Sequence, residues 1–355
     1  MEFATEIATT IVAQLQKPTL AFLIGGMMLA ALGSRIEVPE PVYKFIVMLL
    51  LLKVGLGAGI SVREADLAAL AVPAVLAAIV GVVIVLGGRA TLARWRGVSE
   101  MDGMATAGLF GAVSASTLAA GMAMLDAEGI AYEGFIGALY PFMDIAALVT
   151  AIVLARMSAE RRAARTVQGG GAATMTLGGG RDAGGGGLDG DLVKTILVDT
   201  ARSPAISALL LGLAIGILGR PESVYAGFYE PLFRGLLSVL MLVMGIEAWQ
   251  RLSELRKVAH AYVLYGIAAP LVHGLIGFGA GMVAHHLTGF SAGGVVLLSV
   301  MAASSSDISG PPTLRGALPE ANPSAYVGTS TGLGTPVAIL SIPLWIALAG
   351  AVIGV

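Results

Sequence analysis

An apolar part of the sequence is interrupted by Met301-Ala-Ala-Ser-Ser-Ser-Asp-Ile-Ser-Gly-Pro-Pro-Thr-Leu-Arg315, which contains hydroxyl residues, one carboxylate and a Gly-Pro-Pro break. Within a bilayer, a break in a helix is tolerated only where it is buried in protein or lines a watery cavity. A second stretch of this kind, Gly111-Ala-Val-Ser-Ala-Ser-Thr117, lies in the first half of the chain. Two such breaks, one in each half, are typical of transporters.

The composition indicates a polytopic membrane protein. Of the 355 residues, 56% are hydrophobic and only 12% are charged, whereas soluble domains have about 25% charged residues. The sequence contains no cysteine, which excludes disulfides and thiolate chemistry. The net charge of −2 does not indicate a class of partner, and we predict no nucleic-acid partner. Ten apolar runs are long enough to be candidate spans: 18–34, 42–60, 68–88, 102–124, 134–157, 203–219, 231–249, 259–284, 291–318 and 324–354.

These runs predict an all-α protein with two halves of five helices each, in which the fourth and ninth helices are discontinuous. The halves are 1–157 and 196–355, and 158–195 between them is rich in Gly and Arg, which predicts a disordered cytoplasmic linker. A phosphate-cradling loop would need a strand before the glycines and a helix after them, and neither is visible. With the linker inside, sixteen Lys and Arg residues lie in inner connectors and four in outer ones. This bias predicts that both termini lie outside.

The two halves also share traces of one repeat. The segment Met48-Leu-Leu-Leu-Leu-Lys-Val-Gly-Leu-Gly57 resembles Ser238-Val-Leu-Met-Leu-Val-Met-Gly-Ile-Glu247, with Gly55 and Gly245 in register. Both segments lie in the second span of their half, and both hydroxyl-rich breaks lie in the fourth. Since each half has an odd number of spans, the repeats would be inverted.

Each break would present the N-terminus of a half-helix inside the membrane, near Ser114 and near Pro311. A helix N-terminus carries a partial positive charge and unpaired N–H donors, so it suits an anion. Nearby hydroxyls could add donors, and a small oxyanion fits better than a bulky substrate. The alternative is that these small residues only allow close helix packing. The candidate anion-binding residues are Gly111, Val113, Ser114, Ser116, Thr117, Ser304, Ser305, Ser306, Ser309 and Gly310.

Four charged residues within the predicted spans are candidates for a functional role. Asp307 and Asp144 are candidate ligands of a coupling sodium ion, together with Ser306, because intramembrane carboxylates are costly and usually functional. Asp144 could instead form a stabilising salt bridge or lie nearer the interface. Lys53 and Glu247 are predicted to form a charge pair, although Lys53 could instead extend to an interface.

At the same residues the chain resembles the sodium-dependent bicarbonate transporter family, best known from cyanobacteria. Gly111–Thr117 is similar to the family's Gly-Ser-Val-Ser-Ala-Val-Thr, and Ala317-Leu-Pro-Glu-Ala-Asn-Pro-Ser324 matches a long family motif. Phe142–Ile145 and Phe233–Leu237 resemble two further segments. The resemblance implies ten helices in inverted repeats, a homotrimer in the bacterial inner membrane, sodium-coupled bicarbonate uptake and, in some members, a PII-like cytoplasmic regulator.

Departures from the family pattern identify a divergent member. Ala112, Asp307, Ser309, Asp144 and Ala146 replace a serine, a tyrosine, an alanine, a glutamate and a proline of the family. The alternative is therefore a proton- or sodium-coupled carrier of another small anion, such as a carboxylate. An anion channel would need a continuous polar path, whereas these polar residues cluster at one depth. No nucleophile–base arrangement indicates an enzyme, and sodium is the only cofactor expected.

Overall fold

The computed structural model describes residues 18–64, 67–169, 204–255, 260–306 and 310–354, with the isolated residues 194, 198 and 202. Within these ranges the chain forms helices and their connections, and no strand is present. The first half contains α1 (Pro18–Ala31), α2 (Glu40–Glu64), α3 (Leu67–Ala90), α4 (Glu100–Gly111), α5 (Ala115–Glu128) and α6 (Tyr140–Gly169). The second half contains α7 (Pro204–Leu218), α8 (Glu230–Leu255), α9 (His260–Thr288), α10 (Ala292–Ala303), α11 (Gly310–Ala317), α12 (Pro323–Thr329) and α13 (Thr335–Ile353). These helices are connected by short helical turns at Leu92–Arg94, Gly134–Leu139 and Glu222–Val224. Further connections are π-turns at Tyr225–Tyr229 and Ser330–Gly334.

Seven helical segments of the described chain are long and apolar enough to cross a membrane. They correspond to seven of the ten predicted spans, with α4 and α5 counted as one segment and α12 to α13 as another. The remaining three predicted spans contain the shorter apolar helices Ala21–Ala31, Ile206–Leu218 and Ala292–Ala303. The chain is therefore an all-helical membrane protein, and the count of ten spans stays a prediction.

Helix α6 extends further than the sequence predicted. It runs to Gly169, so residues 158–169, which we assigned to the linker, continue the helix. Ala, Arg and Glu dominate this part of the chain, and they are strong helix formers. The glycine-rich residues 170–193 lie outside the described chain.

Two helix–helix contacts are formed by glycines. Helix α1 packs on α8 where Gly26 lies against the Leu242 carbonyl and Gly245 against the Leu23 carbonyl. Small residues at such a contact allow two backbones to approach closely. Any side chain at either position would collide with the backbone of the facing helix.

Helix α2 packs on α7 in the same way. Gly55 lies against Gly212 and the Leu209 carbonyl, and one turn later Gly59 lies against Gly216. The residue numbers increase in the same direction along both helices, from Gly55 to Gly59 and from Gly212 to Gly216, so α2 and α7 run parallel. Gly55 and Gly245, which the sequence aligned, thus make equivalent contacts in their own helices. Helices α1, α2, α7 and α8 form a four-helix group, since α2 also contacts α8.

The discontinuous helices lie in the interior of the second group, which contains α3 to α6 and α9 to α13. In the segment Glu100–Glu128, every residue from Gly103 to Met122 is buried. Helix α10 is buried from Gly293 to Ala303. It packs between α9 and α13 and contacts α5. The two predicted breaks therefore lie in the protein core and not against lipid.

Candidate functional site

Helix breaks occur at both predicted positions, and they meet in space. Helix α4 ends at Gly111 and α5 begins at Ala115, while α10 ends at Ala303 and α11 begins at Gly310. The Ser114 N–H donates to Ser304 Oγ at 3.0 Å, and the Ser306 N–H donates to the Leu109 carbonyl at 2.8 Å. The breaks are thus joined by two hydrogen bonds in opposite directions, and we call this contact the crossing.

On the α5 side, the crossing is a buried hydroxyl network. Ser114 caps α5, and its Oγ accepts the Thr117 N–H at 3.1 Å and the Thr117 hydroxyl at 3.0 Å. Ser114 Oγ also lies 2.8 Å from Ser116 Oγ. All three side chains are fully buried. This capping keeps the first turn of α5 directed at the opposite break, where its N–H groups and dipole favour negative charge.

Ser304 holds the two breaks together. Its hydroxyl donates to the Met301 carbonyl at 2.7 Å and its oxygen accepts the Ser114 N–H. A serine hydroxyl has one proton, so Ser304 has no donor left for an anion in this conformation. Its remaining lone pair suits a cation or a donor. Ser304 was predicted as an anion ligand, and that role stays a prediction, which requires the hydroxyl to leave the Met301 carbonyl.

Ser305 has a partner that the sequence reasoning missed. Ser305 Oγ lies 3.0 Å from Thr335 Oγ1, and both side chains are fully buried. Thr335 follows a π-turn, a feature that often occurs at functional sites. The signal was present in Gly328-Thr-Ser-Thr-Gly-Leu-Gly-Thr335, a third hydroxyl-rich run within an apolar span. Phe110 packs against Gly334 and separates this pair from Tyr265 and His273.

Asp144 lies at the same crossing. Its Oδ1 accepts the Val113 N–H at 3.1 Å, and the side chain is fully buried on α6. The carboxylate therefore satisfies a backbone donor that the break after α4 exposes. Its role as a sodium ligand stays a prediction.

The rest of the α11 side is described only in part. Ser306 Oγ accepts the Gly310 N–H at 2.9 Å, which ties the start of α11 to the break. Asp307 and Ser309 lie outside the described residues, so their predicted roles stay predictions. Gly111, Val113, Gly310 and Thr117 are all buried at the crossing. The described serines there are buried as well: Ser114, Ser116, Ser304, Ser305 and Ser306.

The predicted charge pair between Lys53 and Glu247 stays a prediction. The Lys53 ammonium lies 4.4 Å from the centre of the Phe233 ring on α8. Glu247 is fourteen residues further along the same helix, a rise of about 21 Å, and its side chain lies outside the described part of the structure. The matching repeat segments pack on different helices: Gly245 on α1 and Gly55 on α7.

Comparison with known proteins identifies a family. The sequence model of the Na⁺-dependent bicarbonate transporter superfamily matches residues 18–350. No curated protein matches the chain. The matched range contains both helix breaks and all the described helices except the last three residues of α13.

Proposed function

The chain belongs to the Na⁺-dependent bicarbonate transporter superfamily, and we propose that it is a secondary active symporter that carries bicarbonate with sodium. The observation that carries the proposal is the crossing, where two helix breaks meet through the Ser114–Ser304 and Ser306–Leu109 hydrogen bonds. A transporter needs a buried polar site between the two sides of the membrane. In inverted-repeat carriers this site lies where discontinuous helices break.

The anion would lie between the N-termini of α5 and α11. Helix α5 has fourteen residues and α11 has eight, so both have a dipole directed at the crossing. Two partial positive ends stabilise one negative charge without a buried lysine or arginine. Ser114, Ser116 and Thr117 on one side and Ser305, Ser306 and Ser309 on the other are the proposed hydroxyl ligands. Gly111, Val113 and Gly310 would contribute backbone groups and space.

The coupling sodium would bind beside the anion. Asp144 is a fully buried carboxylate at the crossing, and Ser306 and Asp307 follow each other on the opposite break. Sodium is a hard cation that takes oxygen ligands, and carboxylate, hydroxyl and freed carbonyl oxygens all occur here. Each ion would then neutralise the other, so that the site is stable only when both are bound.

Two inverted five-helix repeats would provide the movement. The support is the reciprocal packing of the four-helix group: Gly26 and Gly245 join α1 to α8 as Gly212 and Gly55 join α7 to α2. We infer that the four-helix group is a frame against which the group carrying the crossing moves, exposing the site alternately to each side. The positive-inside bias supports termini outside and a cytoplasmic linker, in a bacterial inner membrane. The family resemblance supports a homotrimer and a PII-like regulator.

Uptake of radiolabelled bicarbonate into proteoliposomes tests the function. Sodium is replaced by choline in one arm, and a proton gradient replaces the sodium gradient in another. We expect uptake only with an inward sodium gradient, and a roughly fivefold lower kcat/KM for uptake in a Ser305→Ala/Thr335→Ala variant that remains folded. Active vesicles that carry a small carboxylate but no bicarbonate would overturn the substrate, and uptake driven by protons alone would overturn the coupling ion.

A further inference from the structure

A cavity of about 360 Å³ lies away from the crossing, at the end of the molecule that the charge bias predicts to face outside. It is bounded by α2, by Met122 of α5, by Tyr132 and Gly134 after α5, and by the segment 222–226 before α8. This volume holds a small anion together with several waters.

Lys53 is the cation of this cavity. Its side chain is only 7% exposed, and its ammonium lies 4.4 Å from the Phe233 ring centre and 5.6 Å from that of Tyr225. No described residue forms an ion pair or a hydrogen bond with it. Aromatic faces compensate a buried ammonium only in part, because they accept none of its three hydrogen bonds. The cavity thus contains an unpaired positive charge.

Two carboxylates near the cavity have other partners. Asp126 Oδ1 accepts the Tyr132 hydroxyl at 3.0 Å, and Glu222, on the cavity wall, pairs with Arg63. Burial raises the pKa of the Tyr132 phenol well above its ordinary value, and Asp126 raises it further, so Tyr132 remains a donor. Asp126, Glu230 and Arg234 are the charged groups that act on Lys53. None of them forms an ion pair with its ammonium, so its three N–H donors are open to an anion.

We propose that Lys53 and this cavity form a capture site for a small oxyanion on its way to the crossing. Met122 on the cavity wall follows Thr117 by five residues on α5, a distance of about 7.5 Å along the helix. An ammonium with open N–H donors in a weakly polar cavity attracts anions, and salt weakens this attraction. The identity of the anion as bicarbonate rests on the proposed function, whereas the existence of an anion site does not.

The first test measures transport by Lys53→Met, with Lys44→Met as the matched control, since Lys44 is exposed and paired with Glu40. We expect the KM for bicarbonate to rise about tenfold with a maximal rate within about twofold of the wild type, and the salt dependence of uptake to weaken. Lys53→Arg should keep the wild-type KM. An unchanged KM in folded Lys53→Met, or a loss of maximal rate alone, would overturn the capture role.

The second test needs no transport, and the absence of native cysteines makes it direct. Ser61→Cys introduces one thiol into the cavity wall, and intact cells are treated with impermeant anionic or cationic methanethiosulfonates. We expect the anionic reagent to be favoured, and the anionic-to-cationic rate ratio to fall about tenfold when Lys53→Met is added. An unchanged ratio would overturn the site.

Bicarbonate added before the reagent separates the two claims. If bicarbonate slows the anionic labelling of Ser61→Cys, it occupies the capture site. If the rate ratio depends on Lys53 but only another small anion, such as acetate, protects the thiol, the capture site holds and the proposed substrate fails.

Discussion

The contacts between α1 and α8 and between α2 and α7 are made by glycines, whereas the two helix breaks meet through hydroxyl and carboxylate groups. At the first kind of contact, Gly26, Gly55, Gly212 and Gly245 lie directly against a facing carbonyl. At the second, Ser304 and Asp144 accept backbone N–H groups that the breaks expose. Both kinds of contact bring backbones close together. Only the second leaves polar groups that can exchange their partners for ions, so the first supports stability and the second supports transport.

The largest loss of stability is expected at the glycine contacts between α1 and α8 and between α2 and α7. Gly55→Ala or Gly245→Ala would place a methyl group against a facing backbone carbonyl, and neither backbone can move without separating the helices. We expect each variant to lose about 2 kcal/mol or more of stability, measured as a fall in the melting temperature of the purified protein. Gly25→Ala is the matched control, because a methyl group there meets nothing within 4 Å. Equal melting temperatures in all three variants would contradict the assigned close contacts.

A substitution at Asp144 separates the effect of its negative charge from the effect of its hydrogen bond to the Val113 N–H. Asp144→Asn keeps an oxygen that can accept the Val113 N–H but removes the negative charge, so the fold should survive. We expect the sodium concentration for half-maximal uptake to rise about tenfold, since the proposed cation ligand is lost. The control is Asp102→Asn, which also accepts a backbone N–H, from Asn322, but lies outside the crossing. The same sodium dependence in both variants would remove Asp144 from the cation site.

The pair of Ser305 and Thr335 should act as one unit. Each alanine variant is expected to lower kcat/KM about fivefold, and the double variant little more, because both changes remove the same hydrogen bond. Uptake rates of the four proteins measure the coupling. Ser238→Ala is the control, since that hydroxyl donates to the Arg234 carbonyl within its own helix. Effects that multiply in the double variant would show that the two hydroxyls act separately.

The smallest effect is expected at the surface. Lys44 and Glu40 form a 2.6 Å ion pair with exposed side chains, and such pairs contribute little to stability because water and salt screen them. Lys44→Met should leave both the melting temperature and the uptake unchanged. A clear loss of uptake in this variant would mean that charge matters well beyond the cavity and the crossing.

The sequence predicted the two breaks because clustered hydroxyl residues and a Gly-Pro-Pro segment interrupt apolar spans, and a break of this kind has to be buried in protein. It also aligned Gly55 with Gly245, since equal packing requires equal residues in each repeat. It did not predict Thr335, whose place depends on which helix the π-turn brings beside Ser305. Nor did it predict that Lys53 lies beside Phe233, because a helical pattern shows which face a residue occupies, but not which part of another helix it meets.

The most direct test of the joint ion site is the melting temperature of the purified protein with bicarbonate, in sodium and in choline. A ligand at about 100 times its Kd stabilises the native state by about 2.7 kcal/mol, so binding is visible without transport. We predict that bicarbonate raises the melting temperature only when sodium is present, and that Ser305→Ala/Thr335→Ala makes the rise smaller. An equal rise in choline, or an undiminished rise in the double variant, would contradict joint binding of the two ions at the crossing.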